Sequence, residues 1–103
     1  MINFYDALQI AERYLKRRFG GGIALQIVVE ATVTRAYGWV FIYQSADYLR
    51  TRDFRDAVVG NAPFLVRRAD GQVIVFGTAD SIESYLDEYE KRNWPNGMSS
   101  GSI

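Results

Sequence analysis

The chain has 103 residues, 49% of them hydrophobic, which is enough for one folded domain with its own core. Its 12 basic and 12 acidic residues cancel, which removes the global electrostatic case for nucleic-acid binding. It contains no cysteine and no histidine, which excludes disulfides, thiolate chemistry, a Ser-His-Asp triad and the commonest zinc ligands.

The beginning of the chain does not have the pattern of a secretory leader. It lacks a basic segment followed by an apolar one. No apolar run in the sequence approaches the roughly 20 residues that span a bilayer. We therefore expect a cytoplasmic protein that does not enter a membrane.

Residues 4–18 are predicted to form the first helix, because their apolar side chains recur on one stripe at helical spacing. Asn3 is a favourable N-cap, and Asp6 lies in the first turn, where a carboxylate suits the helix dipole. The glycines at 20–22 are expected to end the helix. A phosphate-binding role for them is disfavoured, because a nucleotide-binding loop follows a strand and precedes a helix.

Residues 38–43 form the strand around which we expect the rest of the chain to be organised. Trp39 and Phe41 point to one side of this ribbon, and Val40 and Ile42 point to the other. Both sets are apolar, so one face should meet the core and the other should be at least partly covered.

Residues 23–34 alternate between apolar and polar types and are predicted to form one strand with a single core face. A turn at residues 35–38 then returns the chain as an antiparallel partner. Two more short strands are predicted at residues 64–66 and 73–76. The Asp-Gly turn between them makes this the strongest local hairpin in the chain.

Residues 47–61 are the least regular part of the chain, and we expect part of the segment to be helical from Asp53 onward. A connection of this length is long for a compact domain, and long ordered loops often carry function. The alternative is a loop held down by Leu49, Phe54 and Val58, and both interpretations stay open. A metal site is disfavoured, because three arginines among the carboxylates would oppose a cation.

Residues 81–92 are predicted to form the last helix, with Asp80 and Glu83 as a capping-box pair. The composition then changes to Asn, Gly and Ser. Residues 93–103 are therefore predicted to be a flexible tail, with Trp94 as a candidate anchor.

The predicted fold class is α+β, with the element order α-β-β-β-β-α. The simplest arrangement is a four-stranded antiparallel sheet flanked by an N-terminal and a C-terminal helix, both on one face of the sheet. Residues 1–92 are expected to form a single domain, because the chain contains no internal repeat and no linker.

Several short motifs stand in a particular order along residues 2–92. They are Tyr5-Asp6-Ala7 with Tyr14-Leu15, Gly38-Trp39 with Phe41, Gly60-Asn61-Ala62-Pro63-Phe64, Asp70-Gly71, Gly77-Thr78-Ala79, and Tyr85-Leu86 with Tyr89-Glu90. In this order and spacing they resemble the immunity protein 35 family (YrhB-like domains) of bacterial polymorphic toxin systems. The long first strand and the charged segment at 47–61 are where the chain departs most from the family.

The resemblance implies an α+β domain without enzymatic activity that is encoded beside a toxin and neutralises it by binding. It does not name the toxin, because toxins differ in chemistry within the family. By residue type the shared positions are scaffold positions, namely a core aromatic and turn formers. The positions shared with the family are Trp39, Gly60, Asn61, Pro63 and Gly77. Phe41 and Gly71 are of the same residue types and are added as structural positions.

The surface that we expect to contact a toxin is charged. Asp80, Glu83, Asp87 and Glu90 are spaced so that they share one stripe of the last helix. One interpretation is a solvated outer face, which is the usual arrangement. The other is a negative strip that steers and pairs with a basic toxin cleft. The further candidates are the arginines of the irregular segment, Arg50, Arg52 and Arg55.

The first hypothesis is thus a protein that occludes the active surface of a cognate toxin, with a homodimer left open. The alternative is a small chaperone-like protein that binds unfolded chains, which the 15% aromatic content would suit. An orphan structural domain is what remains if neither partner exists. An enzyme, a metal and a cofactor are disfavoured, because the usual site residues are missing. Nucleic acid is disfavoured because the aromatics fall on positions needed for the core.

Overall fold

The computed structural model describes residues 1–20 and 22–96. Within them the chain forms three helices and two antiparallel sheets, so the α+β class is confirmed. The elements are α1 (Phe4–Phe19), β1 (Leu25–Ile27), β2 (Val33–Arg35), β3 (Gly38–Phe41), β4 (Tyr43–Ser45), α2 (Ala46–Thr51), β5 (Phe64–Arg67), β6 (Val73–Val75) and α3 (Ile82–Asn93).

Helix α1 begins where the sequence predicted and ends one residue later, at Phe19. The Asn3 side chain accepts from the backbone of Asp6 at 2.9 Å, and the Asp6 carboxylate accepts from the backbone of Asn3 at 3.2 Å. This capping box satisfies two of the backbone donors that a helix start leaves open. At the other end Gly20 adopts a φ of 68°, and its N–H donates to the Lys16 carbonyl at 2.9 Å.

A four-stranded antiparallel sheet is present, with the strand order β2-β3-β5-β6, but the predicted strand over residues 38–43 is divided between this sheet, as β3, and a second sheet, as β4. Among the described residues the second sheet consists of β1 and β4. The β5–β6 hairpin turns on Gly71, at a φ of 76°. Hydrogen bonds from the Arg67 side chain and then from the Gln72 backbone lower the pKa of Asp70 to about 2.

The prediction of one strand over residues 23–34 is wrong. A 3₁₀ turn at Val29–Ala31 divides it into β1, which pairs with β4, and β2, which pairs with β3. At this turn the Ala31 N–H donates to the Val28 carbonyl at 3.0 Å instead of joining a ladder. Val29 is consequently 45% exposed, although its place in the alternation suggested the core.

The two long helices lie on opposite faces of the sheet, which corrects the prediction that they share one. Helix α1 packs on the face that contains Trp39 and Phe41, and α3 packs on the face that contains Val40 and Leu65. All four of these side chains are buried. Because both faces of the central strands are apolar, each needs its own cover.

The segment 46–61 begins with a helix that the sequence did not reveal, α2, and the expected helix from Asp53 onward is wrong. Ser45 caps α2 by accepting from the Tyr48 N–H at 3.0 Å, and Arg52 ends it in the left-handed conformation. Beyond Asp53 there is only a 3₁₀ turn at Phe54–Asp56.

Helix α3 is capped differently from the prediction. The Ser81 side chain accepts from the Ser84 N–H at 3.2 Å, so Asp80 and Glu83 do not form a capping box. After the helix, the Trp94 ring packs 5.2 Å from the ring of Tyr37. Residues 97–103 of the predicted tail lie outside the described residues.

The turn before β5 places several of the predicted scaffold residues. Gly60 has a φ of 70°, and the Asn61 side chain donates to the Tyr43 carbonyl at 2.7 Å. The Pro63 carbonyl accepts from the Phe76 N–H at 2.9 Å. Gly77 lies against the Tyr85 ring, which leaves no room for a β-carbon.

Candidate partner-binding surfaces

The acidic residues predicted as one stripe have unequal environments. Asp80 lies before the first turn of α3 and is exposed. Glu83 forms a salt bridge with Arg35 of β2, whose guanidinium nitrogen lies 2.9 Å from its carboxylate. Both partners remain partly exposed, so this pair contributes little to stability. The salt bridge nevertheless engages the Glu83 carboxylate, which was expected to face a partner.

Glu90 belongs to the packing of the domain. It is half-buried, and its carboxylate accepts a 2.6 Å hydrogen bond from the hydroxyl of Tyr37. Burial, and then this hydrogen bond and the charge of Glu90, raise the pKa of Tyr37 above its ordinary value. A reversal of charge at Glu90 would therefore disturb the fold as well as any interface.

Asp87, like Asp80, is a member of the stripe that stays available. It is exposed, and no salt bridge is formed by it within residues 1–20 and 22–96. Its neighbour Glu88, which the spacing argument passed over, is exposed as well. The negative surface of α3 is thus smaller than the sequence suggested and is centred on these two carboxylates.

The arginines of the segment 46–61 have local partners. Arg50 pairs with Asp47 at 3.0 Å, and Arg55 pairs with Asp53 at 2.6 Å. The hydrogen bonds from Arg55 lower the pKa of Asp53. Arg52 lies with its guanidinium 5.8 Å from the centre of a tyrosine ring of α2. These cations are on the surface, but their charges are largely balanced within the segment.

The most exposed apolar side chains of the same segment are Phe54 and Val59, with 84% and 89% of their surface accessible. Phe54 therefore does not hold the segment down, as one interpretation of the sequence required. The sequence already indicated that Phe54 is exposed, because charged residues flank it on both sides. An exposed aromatic side chain is a candidate contact residue, because aromatic residues are enriched at protein interfaces.

The backbone around Phe54 is held by side chains of β4. The Gln44 side-chain oxygen accepts from the Val58 N–H at 2.6 Å, and its amide nitrogen donates to the Val58 carbonyl at 3.3 Å. The Ser45 hydroxyl donates to the Asp56 carbonyl at 2.5 Å. These bonds join the C-terminal end of the 3₁₀ turn and the residues just after it to the sheet, so the backbone that follows Phe54 is held in place.

A second surface feature is a groove of about 840 Å³ between α1 and β1, which we call the α1–β1 groove. Its helix side includes Leu8, Glu12 and Lys16. Its strand side includes Ile23 and Leu25. The groove is open and contains both charged and apolar groups, which is unlike a closed small-molecule pocket.

No helix among the described residues is long and apolar enough to cross a membrane. In the same part of the chain, no group of three or more acidic residues is arranged to hold a metal ion.

The family model for immunity protein 35 matches residues 5–92. The chain belongs to the immunity protein 35 family. A relative in Escherichia coli strain K12, the uncharacterized protein YrhB, is 32% identical over 98 residues, which is 95% of this chain and 99% of that protein. No solved structure matches the chain significantly.

The immunity protein 35 match confirms the resemblance drawn from the sequence motifs. It runs from the first turn of α1 to the last turn of α3. The segment 46–61, the α1–β1 groove and the acidic residues of α3 all lie inside it.

Proposed function

We propose that this member of the immunity protein 35 family binds a cognate bacterial toxin and neutralises it by covering the toxin's active surface. The family membership supports binding as the function. The observation that carries the proposal further is an exposed aromatic side chain, Phe54, on an ordered segment.

Phe54 has the properties of an interface anchor. Aromatic side chains are enriched at the centres of interfaces, where a few residues supply most of the binding energy. Here the segment is already tied to β4 through Gln44 and Ser45. Less conformational freedom is therefore lost on binding, which favours affinity.

The flanking arginines extend the proposed contact surface. Arg50, Arg52 and Arg55 surround Phe54 in the chain, and all three are exposed. Arginine is over-represented at interface centres, and its planar guanidinium recognises carboxylates in two-point contacts. Because Arg50 and Arg55 already pair with aspartates of the same segment, Arg52 is the arginine most available to a partner carboxylate. The proposed partner surface is an apolar pocket with an acidic group at its edge.

The acidic residues of α3 have a different role in the proposal. Asp87 and Glu88 act through long-range attraction and raise the rate at which a basic toxin surface is encountered. Asp80 is a weaker candidate for the same effect. Glu83 and Glu90 are assigned mainly to the fold, because Arg35 and Tyr37 engage them.

The test is binding to the toxin encoded by the neighbouring gene. Phe54→Ala is expected to weaken binding by about 2 kcal/mol or more, roughly thirtyfold, without lowering the melting temperature. The matched control is Tyr5→Ala, which removes another aromatic side chain that is 73% exposed. Titration calorimetry and the activity of the toxin at equal molar ratio measure both effects.

Equal affinity of the Phe54→Ala variant and the wild-type protein would remove this segment from the interface. One-to-one saturable binding that abolishes toxin activity supports the proposal itself. Weak binding to many denatured proteins, with no effect on the toxin, would favour the chaperone-like alternative.

A further inference from the structure

One edge of strand β1 is open. Its neighbour in the sheet is β4, and among the described residues no other strand pairs with it. The Val28 N–H donates to the Ile42 carbonyl at 2.8 Å, and the Ala24 carbonyl accepts from the Ala46 N–H at 2.9 Å. Because bonding direction alternates along a strand, the backbone groups of Leu25 and Ile27 point away from β4.

Exposed apolar side chains stand on both sides of this open edge. Ile23 is 61% exposed and Val29 is 45% exposed, and both border the α1–β1 groove. Leu8 of α1 adds apolar surface on the facing wall. An open edge with apolar borders favours the addition of another strand, and natural edges are usually protected against this.

We propose that β1 pairs with β1 of a second copy of this chain, in an antiparallel arrangement that forms a homodimer. The two-fold axis passes beside Gln26, the middle residue of the strand. Leu25 of each copy then exchanges both of its backbone hydrogen bonds with Ile27 of the other. The two small sheets join into one sheet of doubled width.

The positions of the exposed apolar residues agree with this symmetry. Ile23 and Val29 lie three residues before and three residues after Gln26, beyond the two ends of β1, so the axis brings Ile23 of one copy to the same end of the paired strands as Val29 of the other. A two-fold interface must be complementary to itself in this way. The pairing covers the two most exposed apolar side chains that border the open edge.

The charges along the groove are also self-complementary. Helix α1 contributes Glu12, Arg13 and Lys16 to its wall, so both signs are present on one surface. The two-fold axis repeats the same wall on the second copy, which allows the carboxylate of one groove to meet the cations of the other. A binding site built for a partner of one charge sign would not need both.

The decisive experiment introduces a single cysteine, because the natural chain contains none. In the proposed register Gln26 faces its own counterpart in a pair without hydrogen bonds, where the Cα atoms lie about 4.5 Å apart and a disulfide is feasible. Gln26→Cys is expected to form a disulfide-linked dimer about a hundredfold faster than thiols that meet by diffusion. The matched control is Thr34→Cys, at an exposed position on β2, an edge strand of the four-stranded sheet.

A second measurement does not depend on the cysteine. Sedimentation of the wild-type protein over about 1 to 500 µM is expected to show a dimer that Ile23→Lys converts to monomer. A wild-type protein that stays monomeric over this range overturns the proposal. Equal crosslinking of the two cysteine variants also overturns it. A monomeric protein whose binding to the toxin is weakened by Ile23→Lys would overturn it as well, because the α1–β1 groove would then be the toxin-binding site.

Discussion

The hydroxyl of Tyr37 donates a 2.6 Å hydrogen bond to the carboxylate of Glu90, across 53 residues of sequence. Tyr37 lies in the turn between β2 and β3, and Glu90 lies near the end of α3. The tyrosine ring also packs 5.1 Å from the ring of Tyr89. The contact therefore attaches α3 to the sheet and gives a structural role to a residue that the sequence assigned to a binding stripe.

Removal of this hydrogen bond should lower stability. A bond to a charged group contributes about 1.5–3 kcal/mol, so Tyr37→Phe and Glu90→Gln are each expected to destabilise the protein by about 1–3 kcal/mol. Urea unfolding of both single variants and the double variant measures the coupling between them. Asp87→Asn, on the exposed part of the same helix, is the control and should leave the midpoint unchanged. Additive losses in the double variant would show that the bond contributes nothing.

The same tyrosine predicts a loss of stability at alkaline pH. Burial, and then the interaction with Glu90, raise the pKa of Tyr37 above its ordinary value of 10.0. The unfolded chain therefore loses this proton at a lower pH than the folded protein does. The stabilisation is complete below about pH 10 and declines as the pH rises above it.

Urea midpoints at about pH 8 and about pH 11 measure this decline. Tyr37→Phe is expected to reduce the difference between the two midpoints. Glu90→Gln should reduce it less, because burial of the tyrosine remains. Burial also raises the pKa of Tyr43, so part of the alkaline slope should persist in both variants. A slope that is identical in all three proteins would contradict the prediction.

Trp39→Ala should be among the most destabilising single substitutions. The ring is 4% exposed, the Phe4 ring lies 6.3 Å from it edge-on, and the Arg68 guanidinium lies 4.5 Å from its centre. Truncation of a buried tryptophan is expected to cost about 3–5 kcal/mol. Val59→Ala, at a side chain that is 89% exposed, is the control. A thermal shift of Trp39→Ala no larger than that of the control would mean that the ring is not part of the core.

Substitution of two glycines by alanine distinguishes the cost of backbone strain from the cost of a steric clash. Gly60 and Gly71 have φ values of 70° and 76°. A β-carbon at Gly60 would meet open space, whereas one at Gly71 would lie 2.8 Å from the end of the Ile10 side chain. Gly60→Ala is expected to cost about 1 kcal/mol from the left-handed conformation alone. Gly71→Ala should cost about 1 kcal/mol more, because Ile10 has to move. Chemical unfolding measures the loss of stability in each variant. Equal losses would mean that Ile10 does not contact residue 71.

Elements whose limits depend on adjacent residues were predicted well. The start of α1 follows from Asn3 and Asp6, and its end follows from Gly20. The β5–β6 hairpin follows from its Asp-Gly turn. In each case the groups that set the boundary lie within a few residues of one another, and their conformational preferences operate before the rest of the chain is in place.

The candidate surfaces were predicted less completely. Spacing alone placed Glu83 and Glu90 on one side of α3, but their partners, Arg35 and Tyr37, come from a different part of the chain. The same applies to Phe54, whose exposure depends on how the segment around it is tied to β4. Hydrophobicity indicates that such a residue can be buried, not that something covers it.

From its residues alone the chain specified the β5–β6 hairpin, the capping of α1 and the membership of its family. Contacts between distant residues decided the rest: the interruption of the first hairpin, the placement of the two helices on opposite faces, and which charges are engaged. The reason is physical. Caps and turns are satisfied by groups a few residues apart, whereas burial and ion pairing depend on which surfaces meet when the chain closes on itself.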